Sequence, residues 1–201
     1  MVFEGIDGSG TTTQLARLRQ NLEHSGARFS TSFEPTDGPI GRLIRLALSG
    51  GFTTVPETVA RLFAADRGEH VYGVGGILER TAGGEIVVSD RYLFSSLAYQ
   101  GLTCSPGVPA ALNETFPLPE LLVFFRISAS DAVERFASRK SLDIYENRSF
   151  QERVSEAYDT VISSFKGTGM TIVEVDAGKS VDDVERAVWA AVQPLLARNG
   201  D

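Results

Sequence analysis

Short apolar runs alternate with longer stretches in which apolar residues recur every three or four positions, and the alternation repeats along the chain. Val2 to Glu4 predicts a brief strand that opens into glycines, and Thr12 to His24 a helix with Leu15, Leu18 and Leu22 on one face. Arg28 to Phe33 reads as extended. Pro39 starts a helix through Leu48, and Pro56 starts a longer one that carries Val59, Leu62, Phe63, His70 and Val71. Ile86 to Ser89 is a compact strand ending at Asp90-Arg91, followed by a helix through Tyr99 that stops near Gly101. Leu121 to Ile127 is a near-continuous apolar run, the pattern of a strand buried on both faces of a parallel sheet. Ser130 to Arg139 is helical, a polar stretch interrupts, and Phe150 to Phe165 resumes the helix. Thr171 to Val175 is the last strand and Val181 to Leu196 the last helix. Five strands alternating with helices predict a three-layer α/β fold, with a five-stranded parallel sheet, right-handed crossovers and helices on both faces. No internal repeat, low-complexity tract or interdomain linker divides residues 1–201, so one domain is expected, with a core large enough for such a sheet.

Charge and composition narrow the function. The net charge is −7 and no basic cluster resembles a polymer footprint, which argues against a nucleic-acid partner. No apolar run approaches a membrane span. The lone Cys104 excludes an intrachain disulfide framework, and Met1 to Gly5 leads directly into a motif with no room for a signal peptide. Both features predict a cytoplasmic protein. Only Lys140, Lys166 and Lys179 are lysines, so most cations available to hold an anion are arginines.

Gly5-Ile6-Asp7-Gly8-Ser9-Gly10-Thr11-Thr12 lies between the first strand and the first helix, and Thr13 follows inside the helix. That context suits a phosphate-binding loop: glycines let backbone N–H groups turn inward, and the helix N-terminus adds partial positive charge. Thr12 occupies the hydroxyl position that coordinates Mg²⁺ in G-x-x-x-x-G-K-[ST], but Thr11 stands where that pattern has lysine. A dinucleotide fingerprint fits less well, because G-x-G-x-x-G begun at Gly8 ends on Thr13.

From Phe3 to about Asp176 the chain resembles the thymidylate kinase family, a group of P-loop nucleoside-monophosphate kinases. The motifs that carry the resemblance are Phe3 to Gln14, Glu34 to Gly41 followed by Leu43-Ile44-Arg45, Leu62 to Arg67, Asp90-Arg91-Tyr92, and Ser95 to Gly101. Arg135, Arg139, Asp143 and Glu146 fall in the lid region of that family. The resemblance implies a P-loop NTPase fold, homodimeric assembly, and Mg²⁺- and ATP-dependent phosphorylation of dTMP to dTDP. It further implies that Gly5, Asp7, Gly8, Ser9, Gly10, Thr11, Thr12 and Thr13 hold ATP, and that Thr12 and Asp90 serve the metal. Glu34, Arg45, Phe63, Arg67, Arg91, Ser96, Tyr99 and Gln100 are assigned to the acceptor. Within that set Phe63 stacks on thymine, Arg67 and Gln100 touch the base, and Arg91 clamps the acceptor phosphate with a planar fork of donors. Asp7 accepts a hydrogen bond from the 3′-hydroxyl, and Tyr99 crowds the 2′ face of the sugar. Structural roles compete with these: core packing for Phe63 and Tyr99, a carboxylate salt bridge for Arg91, a solvated surface position for Arg45.

Three positions depart from the family. Phe33 precedes Glu34-Pro35 where many relatives carry arginine, and the lid (about residues 139–149) lacks an arginine directly after Asp143. Thr11 is the third. Lys166 and Lys179 fall in or near the last strand–helix unit, away from the lid, which leaves Arg139, Lys140 and Arg148 to supply the missing charge; Arg139 and Arg148 are the expected catalytic cations beside Asp7 and Arg91. The competing expectations are a nucleotide-binding relative that lost catalysis with its lysine, and a kinase for another nucleotide or nucleoside.

Overall fold

A computed structural model describes residues 1–136 and 148–198. Five parallel strands form one sheet: β1 (Val2–Gly5), β2 (Phe29–Phe33), β3 (Ile86–Asp90), β4 (Leu121–Arg126) and β5 (Thr171–Asp176), in the order β2-β3-β1-β4-β5. Every residue of β1 is buried, as are Ile86–Ser89 of β3 and Leu121–Phe125 of β4. This is the burial that parallel strands covered on both faces require, and it explains their lack of polar alternation. The edge strands β2 and β5 are more exposed and more polar.

Nine α-helices connect the strands among the described residues: α1 (Thr11–Ser25), α2 (Pro39–Leu48), α3 (Pro56–Tyr72), α4 (Ile77–Ala82), α5 (Leu93–Tyr99), α6 (Val108–Asn113), α7 (Ala129–Phe136), α8 (Arg148–Ser164) and α9 (Val181–Arg198). The sheet is flanked by helices, α1 lying against α9, α5 against α8, and α2 against α3. The α1–α9 contact is tied by Arg17 to Asp182 and Glu185, and by the Gln14 amide donating to the Val181 carbonyl. The six-residue helices α4 and α6 escape a periodicity reading because neither spans two full turns. The predicted helix over residues 130–139 is seen to Phe136; its remainder, like most of the lid, lies outside the described residues.

Register places the site. Phe3 pairs with Asp90 on one side of β1 and with Val123 on the other, so the C-terminal ends of β1 and β3 finish side by side. β2 and β3 lie to one side of β1 while β4 and β5 lie to the other, and ligands of open α/β sheets bind in the crevice that such a reversal opens at the strand C-termini.

Candidate nucleotide site

The loop from Gly5 to Gly10 turns tightly between β1 and α1. Gly8 (φ 85°) and Gly10 (φ 92°) adopt left-handed conformations that favour glycine. A β-carbon on Gly5 would lie 2.6 Å from Ser9 Oγ, and one on Gly8 would run into the Ala132 carbonyl of α7. Ser9 N–H donates to the Ile6 carbonyl at 3.1 Å, and α1 starts directly after Gly10. The loop lines a cavity of about 440 Å³ with Thr11, Thr12, Thr13, Asp90 and Arg91.

Asp90 ends β3 facing the first turn of α1. The Thr12 hydroxyl donates to Asp90 Oδ2 at 3.3 Å, while Oδ1 is buried without a hydrogen-bond partner among the described residues. Burial raises the Asp90 carboxyl above its usual range, against the pull of Arg91 and of the Thr11 and Thr12 hydroxyls. A carboxylate with a spare buried oxygen beside a threonine hydroxyl fits a hard divalent cation. Such an ion would take its remaining ligands from phosphate and water.

Arg91 is the next residue and sits at φ 71°, unusual for a side chain of this size. Its guanidinium reaches Asp7 Oδ1 (2.5 Å), the Gly5 carbonyl (3.2 Å) and Ser95 Oγ (3.1 Å), and lies over the Tyr99 ring. Burial draws this guanidinium down, but Tyr99, Asp7, Tyr158 and Asp90 outweigh it and hold the group well above its ordinary range. Asp7 Oδ2 accepts from the Tyr99 hydroxyl and from Gln151 Nε2, each at 3.1 Å. Below them Glu4 is fully buried on β1, and burial pushes its carboxyl up to about 7.

A second buried cluster lies between α3 and α5. Arg67, 1% exposed, donates from Nε and Nη2 to Glu34 Oε2 (3.0 and 2.6 Å), from Nη2 to Ser96 Oγ (3.0 Å) and from Nη1 to Asn113 Oδ1. His70 Nδ1 meets Glu34 Oε1 at 2.9 Å. Glu34 opens the Glu34–Pro35 segment, whose peptide bond is cis. Gln100 is buried at the end of α5, with its Oε1 lacking a hydrogen-bond partner among the described residues. Phe63 is half-buried on α3, one turn before Arg67.

The remaining sequence-derived residues divide. Arg45 donates to the Pro35 and Thr36 carbonyls (2.6 and 2.7 Å) and to Asp37, so it braces the segment after β2. Arg148 begins α8, is well exposed and pairs with Glu152, and it does not line the cavity. Arg139 lies outside the described residues. Lys179, set aside on the sequence as lying away from the lid, lines the cavity from the turn after β5, as does Arg135 from α7. Sequence reasoning also passed over Glu4, Asn113, Gln151 and Tyr158. One signal was available for two of them: Gln151 and Tyr158 share the inward stripe of α8 with Val154 and Ile162, and a glutamine in an apolar stripe is a buried amide.

A glycine loop that opens the helix after the first of five parallel strands, with an acid closing the adjacent strand beside it, defines the P-loop NTPase class. Residues 3–188 match the family model described as thymidylate kinase. A Treponema pallidum protein provisionally designated a thymidylate kinase is 41% identical over 191 residues, covering 94% of this chain and 91% of the relative. A thymidylate kinase of Akkermansia muciniphila is 40% identical over 181 residues, covering 89% and 84%. A third relative, provisionally assigned the same name in Methanococcus maripaludis (strain S2), is 38% identical over 200 residues, covering 96% and 94%. The chain belongs to the thymidylate kinase family, whose members are phosphotransferases.

Proposed function

We propose that the protein transfers the γ-phosphoryl group of ATP to dTMP, giving dTDP and ADP. The observation that carries the choice of acceptor is the hydrogen-bonding state of Arg67. A guanidinium has five N–H donors, and four here are engaged by Glu34, Ser96 and Asn113. Among the described residues one donor remains, and Gln100 Oε1 is a buried acceptor without a hydrogen-bond partner. A donor and an acceptor suit the 4-keto oxygen and N3–H of thymine. Cytosine, with an amino group at C4 and an acceptor at N3, would set donor against donor.

The chemistry requires alignment and charge stabilisation, and no covalent intermediate. The amides from Gly8 to Thr12 would cradle the donor phosphates, and Arg91 would hold the acceptor phosphate across the crevice. Asp7 would take the sugar 3′-hydroxyl, with Tyr99 beside it. Thr12 and Asp90 would hold Mg²⁺, which when bound neutralises charge on the transferring group. Arg135 and Lys179 line the same cavity and would supply the charge that Thr11 lacks. The apolar side chains of Leu43, Leu46 and Val55 are exposed on and near α2, and support the homodimer that the family resemblance implies. Among the described residues no helix is long and apolar enough to cross a membrane, and a cytoplasmic location is part of the same proposal.

Coupled ADP release with dTMP, dUMP, dCMP and thymidine tests the reading. Turnover with dTMP should far exceed that with dCMP, while dUMP should fall behind by only about 10–200-fold, the worth of one methyl group in an apolar pocket. Equal efficiency on dCMP would remove the base-reading assignment. The uncharged side chain at position 11 favours one rival, a nucleotide-binding relative without catalysis. ATP binding without dTMP-dependent turnover in the wild type, with turnover appearing in Thr11→Lys, would establish that rival.

A further inference from the structure

Glu4 is a carboxylic acid on the central strand of a parallel sheet, 0% exposed, where an apolar residue would pack at no desolvation cost. Four donors converge on it. Oε1 accepts from the backbone N–H groups of Tyr92 (2.8 Å) and Ser95 (3.2 Å), and Oε2 from the hydroxyls of Ser95 (2.6 Å) and Tyr158 (2.8 Å). Two consequences follow. The first turn of α5 has no side-chain cap from its own N-cap residue, and Glu4 of β1 accepts from two of its amides, that of Tyr92 and that of Ser95, the latter shared with the Tyr92 carbonyl at 3.1 Å. One of those amides belongs to the residue directly after Arg91, whose left-handed backbone is further pinned by its own N–H donating to the Phe3 carbonyl at 2.9 Å.

The same hydroxyls extend the chain of contacts to the guanidinium. Arg91 Nη1 donates to Ser95 Oγ at 3.1 Å and lies 3.5 Å from the Tyr158 hydroxyl. With its proton directed to Glu4, the Ser95 hydroxyl can only accept from Arg91. Glu4 therefore orients the hydroxyl that orients the arginine, while its other oxygen fixes the turn from which that arginine projects. We infer that Glu4 is a positioning residue for the acceptor-phosphate clamp, acting on Arg91 through Ser95, Tyr158 and the Tyr92 amide. The inference rests on the proposed reading that Arg91 binds the acceptor phosphate.

Calorimetric titration with dTMP and, separately, with ATP tests it on the full chain in Glu4→Gln, Tyr158→Phe, Arg91→Ala and the Glu4→Gln/Arg91→Ala double variant. Glu4→Gln should weaken dTMP about tenfold and Tyr158→Phe by about threefold, as loss of hydrogen bonds to a charged network implies, with ATP affinity kept within about twofold. In the Arg91→Ala background Glu4→Gln should add nothing, because residues acting through one another are non-additive. Wild-type dTMP affinity in folded Glu4→Gln, or a full additional loss in the double variant, would overturn the inference. Should Glu4→Gln fail to fold, Tyr158→Phe decides by itself, and unchanged dTMP affinity there has the same force. Unchanged dTMP affinity in Arg91→Ala would instead defeat the clamp reading, a separate outcome that identifies which of the two claims has failed.

Discussion

Buried ionisable groups record the electrostatics of this site in measurable form. Burial lifts the Glu4 carboxyl from its ordinary 4.5 to about 7, so between those values the native chain holds a proton that the unfolded chain has released. The resulting stabilisation is complete below pH 4.5 and is lost as the pH rises through about 7. On protonation either the Ser95 or the Tyr158 hydroxyl can reverse and accept, so the network survives the change. The difference in unfolding free energy between wild type and Glu4→Gln should shrink from pH 4.5 to 8, by on the order of 3 kcal/mol at most. Chemical denaturation at a series of pH values measures this, and a constant difference would mean that Glu4 titrates like an exposed carboxylate. Sequence reading drew Asp7, Thr12, Asp90 and Arg91 from motifs whose spacing is local. Glu4 was invisible as a hub because its partners lie 88 to 154 residues away along the chain. Asn113 was hidden likewise, 46 positions from the arginine it meets.

At the scale of elements, strong periodicity and strand–helix alternation made the sheet and the long helices legible, while α4 and α6 were too short to show a pattern. Arg45 illustrates the limit for sites: spacing put it on a helix near the acceptor motif, but not which way it turned, and it turned to backbone carbonyls. The glycine loop separates two costs that a sequence merges. Gly8 and Gly10 both have positive φ, but a methyl group on Gly8 would collide with the α7 backbone, whereas one on Gly10 would meet nothing within 4 Å. Gly10→Ala should cost about 1–2 kcal/mol, the strain of a left-handed residue. Gly8→Ala should cost more and also push α7 away from the loop. Melting temperatures of the two variants and their ATP affinities check this, and equal penalties would show that the loop yields freely at Gly8.

For the molecule as a whole, charge has to be supplied across the fold. The chain carries a net −7 yet is read as binding two polyanionic nucleotides, which demands local convergence of its few cations. Arg91 comes from the end of β3, Arg135 from α7 and Lys179 from the turn after β5, and all three reach one cavity. Lys179→Ala should therefore lower turnover by at least tenfold, or roughly 1.4 kcal/mol of transition-state stabilisation, and Thr11→Lys should restore part of it. Steady-state kinetics on the two single variants and their combination give the answer. Full activity in Lys179→Ala would return the task to Arg135 or to the lid. The strand order has a different consequence, for the newborn chain. β1 precedes the other four strands in the chain, but its two edges pair with residues 89–90 and 122–125, so it must wait for nearly half of the polypeptide before one neighbour is complete and for more than half before the other is. Until then a buried-type strand and its glycine loop travel unpaired, the condition under which slow, non-local topologies are most exposed to aggregation and in greatest need of chaperones.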